Sequence, residues 1–327
     1  MHGRLKVRSP EEQQELVRKE KEKKLHSFQK AWGHLVDQRA KGNLSSELLV
    51  PTESLLTNVS DLYSLWNYRR EILLNDLASC DEDGKKDAIC HYELCFTESC
   101  LLRDPKSYST WHHRRWTLLQ MVHPDWQKEL GLCDQALRMD ERNFHCWGYR
   151  RFVVEKGSVP LDSELAFSTK LIKENFSNYS SWHYRTTLLP LLFPQAIPEA
   201  QIQEELKLVL NAVFTDPNDQ SAWFYSQFLV DQIRKADYTE VMRKLVENVK
   251  ELWEEEPENA WVLHAYVKLL LTNRDLLDTV GKEFIMDGIK MDGIKMDGKE
   301  FVSIAVGKLS AQDPLRSGYY HSLKSQI

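Results

Sequence analysis

Six tryptophans, at positions 66, 111, 147, 182, 223 and 261, follow one another at intervals of 45, 36, 35, 41 and 38 residues, each inside a similar local frame. Aligned on the indole, the frames read DLYSLWNYRR from Asp61, KSYSTWHHRR from Lys106, RNFHCWGYRR from Arg142, SNYSSWHYRT from Ser177, NDQSAWFYSQ from Asn218 and EPENAWVLHA from Glu256. The first four agree closely and the last two are worn. Self-similarity at such a period is the mark of a repeat array, so the usual estimate of about two globular domains for a chain of 327 residues does not apply.

The recurring positions have local physical reasons. Turn clusters such as Asp104-Pro105, Asp140-Glu141, Asn175 to Asn178 and Asp216 to Asp219 precede the tryptophans and supply caps, or a proline, for a helix start. Each Trp then opens helix A of a hairpin. Amphipathic stretches downstream, such as Lys86 to Phe96 and Glu204 to Phe214, carry apolar residues at helical spacing and make helix B. A helical hairpin of this size cannot bury its own apolar face, so it stacks on its neighbours. The expected fold is all-α, a right-handed alpha-alpha superhelix built as a solenoid of helical hairpins. Residues 1–43 form an N-terminal segment with a charged capping helix over 11–40, and 44–327 form the solenoid. A short final helix lies near 313–324, and a glycine-containing repeat at about 286–299 reads as a flexible loop. Each repeat-marking Trp is expected to be a core wedge, and the Arg pairs at 69/70, 114/115 and 150/151 to bridge repeats.

Composition narrows the function classes. With 42% hydrophobic and 28% charged residues the chain is too apolar to be disordered, and a net charge of -6 gives no electrostatic reason for nucleic-acid binding. The N-terminal stretch lacks the apolar run of a signal peptide or membrane span, which predicts a cytoplasmic protein with no membrane insertion. The six cysteines form no Cys-x-x-Cys pair and read as reduced thiols. Phosphate-loop, dinucleotide and His-Glu-x-x-His motifs are missing from the sequence.

The Trp-x-x-Arg-Arg frame, preceded by Asn-x-Tyr/Phe-x-x-Trp, resembles the repeat of the protein prenyltransferase alpha subunit family over residues 50 to 320. Within it, the start Met1 to Val7 and the stretches Asn143 to Trp147 and Asn175 to Arg185 are similar to the branch that acts on Rab GTPases. The resemblance implies a heterodimer in which this chain wraps a beta subunit that holds the isoprenoid diphosphate and a catalytic zinc. It implies that geranylgeranyl diphosphate is the donor, that a Rab escort protein presents the substrate, and that Rab C-terminal cysteines are the acceptors. Whether Mg²⁺ also screens the diphosphate is left open.

Columns of the alignment locate candidate chemistry. Five places before the Trp stand Asp61, Lys106, Arg142, Ser177, Asn218 and Glu256; three places before stand Tyr63, Tyr108, Phe144, Tyr179, Gln220 and Glu258. The second repeat alone puts an ammonium and a phenol at these two places. Breaking the prenyl C1 to oxygen bond builds negative charge on the leaving diphosphate, which a placed cation and hydroxyl stabilise. The resemblance carries that role onto Lys106 and Tyr108; without it, Lys106 reads as a solvated loop lysine. It also marks Asn143 and His145 as substrate-binding rim residues, with core packing as the alternative, and Asp61 as a carboxylate that orients the incoming peptide. His112 and His113 sit on helix A and are expected to contact neighbours. His2 would block removal of Met1 and leave an imidazole able to reach the partner's zinc; the alternative is an idle tail.

Two departures from the family bear on substrate. Ser109 stands where farnesyltransferase-type members have a Gln that holds a CaaX carboxylate, which argues against strict CaaX reading. An immunoglobulin-like insertion and leucine-rich repeats found in vertebrate Rab-type members are expected to be missing. The competing readings are the alpha subunit shared by farnesyltransferase and geranylgeranyltransferase type I, and a non-enzymatic scaffold that binds peptides in its concave wall.

Overall fold

Every interval between repeat tryptophans holds a turn, a helix, a second turn and the start of another helix. The computed structural model describes residues 11–273 and 298–326. His2 and residues 286–297 of the glycine-containing repeat lie outside the described residues, while Gly298 and Lys299 open a helix rather than end a loop. Among the described residues the fold is an all-α array of paired helices, as the spacing predicts.

Two compact units are distinguished, divided between Ser158 and Val159. The first contains α1 (Glu11–Ala40), a 3-10 turn at Ser46–Leu48, α2 (Leu49–Asn58), α3 (Tyr63–Ala78), α4 (Asp83–Arg103), α5 (Tyr108–Gln120), α6 (Trp126–Met139) and α7 (Phe144–Lys156). The charged helix expected over 11–40 is α1; it packs Leu35 against Leu55, Leu56, Leu65 and Trp66, closing one end of the unit's core. The second unit contains α8 (Leu161–Glu174), α9 (Tyr179–Leu192), α10 (Glu199–Thr215), α11 (Gln220–Lys235), α12 (Thr239–Glu255), α13 (Ala260–Thr272), α14 (Gly298–Gln312) and, after a 3-10 turn at Pro314–Arg316, α15 (Ser317–Lys324). Its core runs through Trp182, Val209, Trp223, Leu245, Val262 and Phe301. Full burial of side chains of this size stabilises by about 2 kcal/mol each relative to exposure.

The A helices α3, α5, α7, α9 and α11 begin three residues ahead of the Trp, which places the indole in the first turn. There it does two things. It fills the wedge between hairpins: Trp66, Trp111, Trp147, Trp182 and Trp223 are all buried, whereas Trp261, in the most worn frame, is half-buried. It also donates Nε1–H to the carbonyl six residues upstream, Ser60 (2.7 Å), Pro105 (2.9 Å), Glu141 (2.9 Å), Phe176 (2.7 Å) and Pro217 (3.0 Å), tying the turn to the helix it introduces. A phenylalanine fills the wedge but gives up that bond.

The structure separates the Arg pair. Arg150, first of the third pair, is buried with Nη1 2.6 Å from Asp134 of the preceding helix. In the other close frames the arginine three places after the Trp is buried and bidentate to a glutamate on the following B helix: Arg69 to Glu93 (2.6 and 2.7 Å), Arg114 to Glu129 (2.8 and 2.7 Å), Arg185 to Glu205 (2.7 and 2.6 Å). Its Nη1 reaches back to a carbonyl of the preceding B helix, Leu49, Leu94 or Leu165. The same glutamates accept from the next A helix, from His113 on Glu93 (2.6 Å), Tyr149 on Glu129 (2.6 Å) and Tyr225 on Glu205 (2.7 Å). One buried carboxylate therefore clips three successive helices, with its charge paired and its lone pairs filled. The second members are not buried: Arg70 is half-buried, and Arg115 and Arg151 are exposed.

Candidate functional site

The turn between α4 and α5 carries Lys106 and Tyr108, and it is held from below. Asp104 ends α4; its Oδ1 accepts from the Lys106 N–H (3.4 Å) and its Oδ2 from the Ser60 hydroxyl (2.6 Å). Ser107 caps α5 through a bond from the Thr110 N–H (3.2 Å), satisfying one of the free donors of the first turn. Asp61, from the turn one repeat earlier, accepts from the Ser107 hydroxyl (2.8 Å) and the Ser109 N–H (3.1 Å) with the same Oδ1. Its carboxylate thus lies at the N-terminus of α5, where the helix dipole favours negative charge. Asp61, which the resemblance marks as a peptide-orienting carboxylate, is bonded in the structure to the turn that carries Lys106.

Asn143 lies directly beneath this turn. It caps α7, accepting from the N–H groups of His145 (3.1 Å) and Cys146 (3.2 Å), and donates Nδ2–H to the Pro105 carbonyl (2.9 Å). That carbonyl also receives the Trp111 indole. Asn143 is 2% exposed and ties the N-terminal end of α7 to the turn that carries Lys106.

Above it Tyr108 and Lys106 reach solvent. Tyr108, the first residue of α5, is 67% exposed, and its ring stands edge-on to the His145 imidazole with centroids 4.2 Å apart. Phe144 packs beside both rings, 4.0 Å from His145 and 5.9 Å from Tyr108. Partial burial holds the His145 imidazole below its ordinary pKa; Asp61 and Asp104 oppose that shift, and the Lys106 charge adds to it. His145 is therefore a neutral donor and acceptor near pH 7. Lys106 is exposed, and its Nζ lies 3.2 Å from Asp140 Oδ2.

The structure thus brings Lys106, Tyr108 and His145 together on one rim of the first unit, with Asp61 and Asn143 as supports. His113 is elsewhere, fully buried between Trp66 and Trp116 (4.4 and 5.3 Å) in the clip on Glu93. His112 is exposed, with Nδ1 3.4 Å from Arg70. Sequence reasoning missed Asp140 as a partner of Lys106. The signal was present in the Asp or Asn seven places before the Trp in four repeats, but it reads there as a generic turn former.

Comparison with known proteins follows the same frames. The protein prenyltransferase alpha subunit repeat matches residues 90–121, 126–157, 161–192 and 202–233; the Trp66 and Trp261 frames lie outside these windows. The chain is similar to the geranylgeranyl transferase type-2 subunit alpha of Dictyostelium discoideum, 35% identical over 334 residues and covering 100% of both chains. The protein of the same description from Schizosaccharomyces pombe is 32% identical, with 100% of this chain and 98% of that protein covered. The human protein of that description is 48% identical over 252 residues, which are 75% of this chain and 44% of the human one. The chain thus matches less than half the length of its mammalian relatives. In fold it is similar to a Candida albicans protein geranylgeranyltransferase-I complexed with GGPP, at a TM-score of 0.72, 20% identity, and 92% and 90% coverage of the two chains.

Proposed function

The chain belongs to the protein prenyltransferase alpha subunit family, and we infer from that membership and from the rim around Lys106 that it is the alpha subunit of a heterodimeric type-2 geranylgeranyl transferase. It pairs with a beta subunit. Together they move geranylgeranyl from geranylgeranyl diphosphate to C-terminal cysteines of Rab GTPases presented by a Rab escort protein. Similarity along the whole length of two type-2 alpha subunits supports this reading over the farnesyltransferase-type alternative. The observation that carries the chemistry is the convergence of Lys106, Tyr108 and His145 at an exposed rim.

In the transfer the cysteine sulfur bonds to prenyl C1, the C1–O bond breaks, the thiol proton is lost, and diphosphate leaves with the electron pair. Charge grows on the bridging and terminal oxygens. The Lys106 ammonium and the Tyr108 hydroxyl, which has no partner among the described residues, donate to those oxygens from fixed positions. His145 backs the phenol ring and keeps Tyr108 facing outward. Among the described residues no group of three or more His, Cys, Asp or Glu side chains is placed to hold a metal ion. Zinc is assigned to the beta subunit, where it would hold the substrate cysteine as a thiolate, and the role of Mg²⁺ is decided by chelator titration. A cytoplasmic location follows from the same reading, supported by the lack, among the described residues, of any helix long and apolar enough to cross a membrane.

The test is co-expression with a type-2 beta subunit and mass spectrometry of a Rab substrate with and without escort protein. A stable heterodimer that prenylates Rab is expected. Failure to form one, or modification of CaaX peptides only, overturns the reading. Lys106→Ala should lower turnover about 100-fold, the effect of removing one oxyanion donor, while assembly survives.

A further inference from the structure

Asp140 ends α6 and opens the turn into α7. Its Oδ1 accepts from the Arg142 N–H at 3.1 Å, and its Oδ2 stands 3.2 Å from Lys106 Nζ. The first contact is a repeating turn device. Asn175 Oδ1 accepts from the Ser177 N–H at 3.1 Å and Asp216 Oδ1 from the Asn218 N–H at 3.0 Å. That turn needs one oxygen, and an asparagine supplies it at 175. What the carboxylate adds at 140 is a second oxygen aimed at the ammonium.

At two other junctions the residue five places before the Trp has the habit of reaching forward into the next repeat's turn: Asp61 to Ser107 and Ser109, and Asn218 to Asn259 (3.0 Å). Lys106 follows the habit, and Asp140 is what it meets. At the preceding junction the corresponding oxygen, Asp104 Oδ2, is taken by the neutral Ser60 hydroxyl. With 68% of the lysine side chain and 34% of the aspartate exposed, the pair adds little to folding stability. Its consequence is geometric: a lysine has four rotatable bonds, and most rotamers carry the charge off line.

We propose that Asp140 is a positioning residue for Lys106, fixing the ammonium on the rim through one N–H and leaving two for the departing diphosphate. This rests on the assignment of Lys106 to the leaving group. Asp140 is itself immobilised by the Arg142 N–H, so the orientation of the lysine is inherited from the backbone of the third repeat rather than from its own turn.

Asp140→Asn isolates the second oxygen. The turn is retained as at Asn175, but the atom facing Lys106 becomes an amide nitrogen, a donor that cannot accept from an ammonium. In the heterodimer with the type-2 beta subunit, the variant should lower kcat about 5-fold, leave KM for the Rab substrate within about twofold, and leave the unfolding midpoint unchanged. In a Lys106→Ala background, Asp140→Asn should add nothing. Unchanged or raised turnover in the single variant, with Lys106→Ala impaired, overturns this proposal alone; so does an equal fall in the Lys106→Ala background. Unchanged turnover in Lys106→Ala overturns the assignment of Lys106 and this proposal with it.

Discussion

Arg114→Met tests whether the buried carboxylate clips hold the array together. The methionine stem occupies most of the volume of the arginine stem, so the loss is almost wholly polar. Arg114 is 1% exposed and makes two bonds to Glu129, one to the Leu94 carbonyl (2.7 Å) and one to Thr97 Oγ1 (3.0 Å). Without it, Glu129 keeps only the Tyr149 hydroxyl and stays buried at 1% exposure. A buried ion left by its partner costs about 3–5 kcal/mol. For a unit of this size each kcal/mol lowers the midpoint by about 2–4 °C, so a fall of roughly 6–20 °C is expected. Differential scanning calorimetry measures it, and hydrogen exchange at α4, α5 and α6 localises it. The companion Arg114→Met/Glu129→Leu removes both charges and should recover most of the loss, because a buried pair replaced by apolar groups is close to neutral. A fall below about 2 °C, or losses that simply add in the double variant, would refute the clip as a stabilising unit.

Acid should loosen the first unit in two stages. Burial lowers the pKa of His113, so below its ordinary value near 6.5 the unfolded chain takes up a proton that the folded chain refuses. Burial alone would raise Glu93, but the His113 hydrogen bond and the Arg69 charge more than offset it and hold the carboxyl at about 2. Its contribution is complete above about pH 4.5 and lost as pH falls toward 2. Glu93→Gln should be less stable at pH 7 and show a flatter stability profile between those limits; parallel profiles in chemical denaturation would contradict this. Asn143→Ala removes a cap and the tie to Pro105, costing about 1–2 kcal/mol and lowering turnover through the Lys106 turn. A rise in KM with stability intact would instead mark Asn143 as a direct substrate contact.

Much of this could be read from the chain. The Trp spacing and the capping residues before it specify paired helices because both act within a few residues: the cap oxygen of Ser107 reaches Thr110, and the Trp111 indole reaches Pro105. The column comparison isolates Lys106 and Tyr108 for the same reason, since a repeat holds each position in an equivalent place. The same comparison treats Arg69 and Arg70 as one feature. Only packing separates them, one facing the B helices and Glu93, the other the surface beside His112.

Asn143 and Asp61 show the limit most clearly. Their spacing places them at the rim, but burial and hydrogen bonds decide that they hold the turn on which the rim residues stand. Asp140 and Lys106, 34 residues apart, meet across two turns, a contact no local pattern encodes. Local sequence determined the helices, their caps and the odd repeat in the column. The stacking of one hairpin on the next decided which charges are buried and paired, because a carboxylate's partners lie on three helices that meet only once the array has formed.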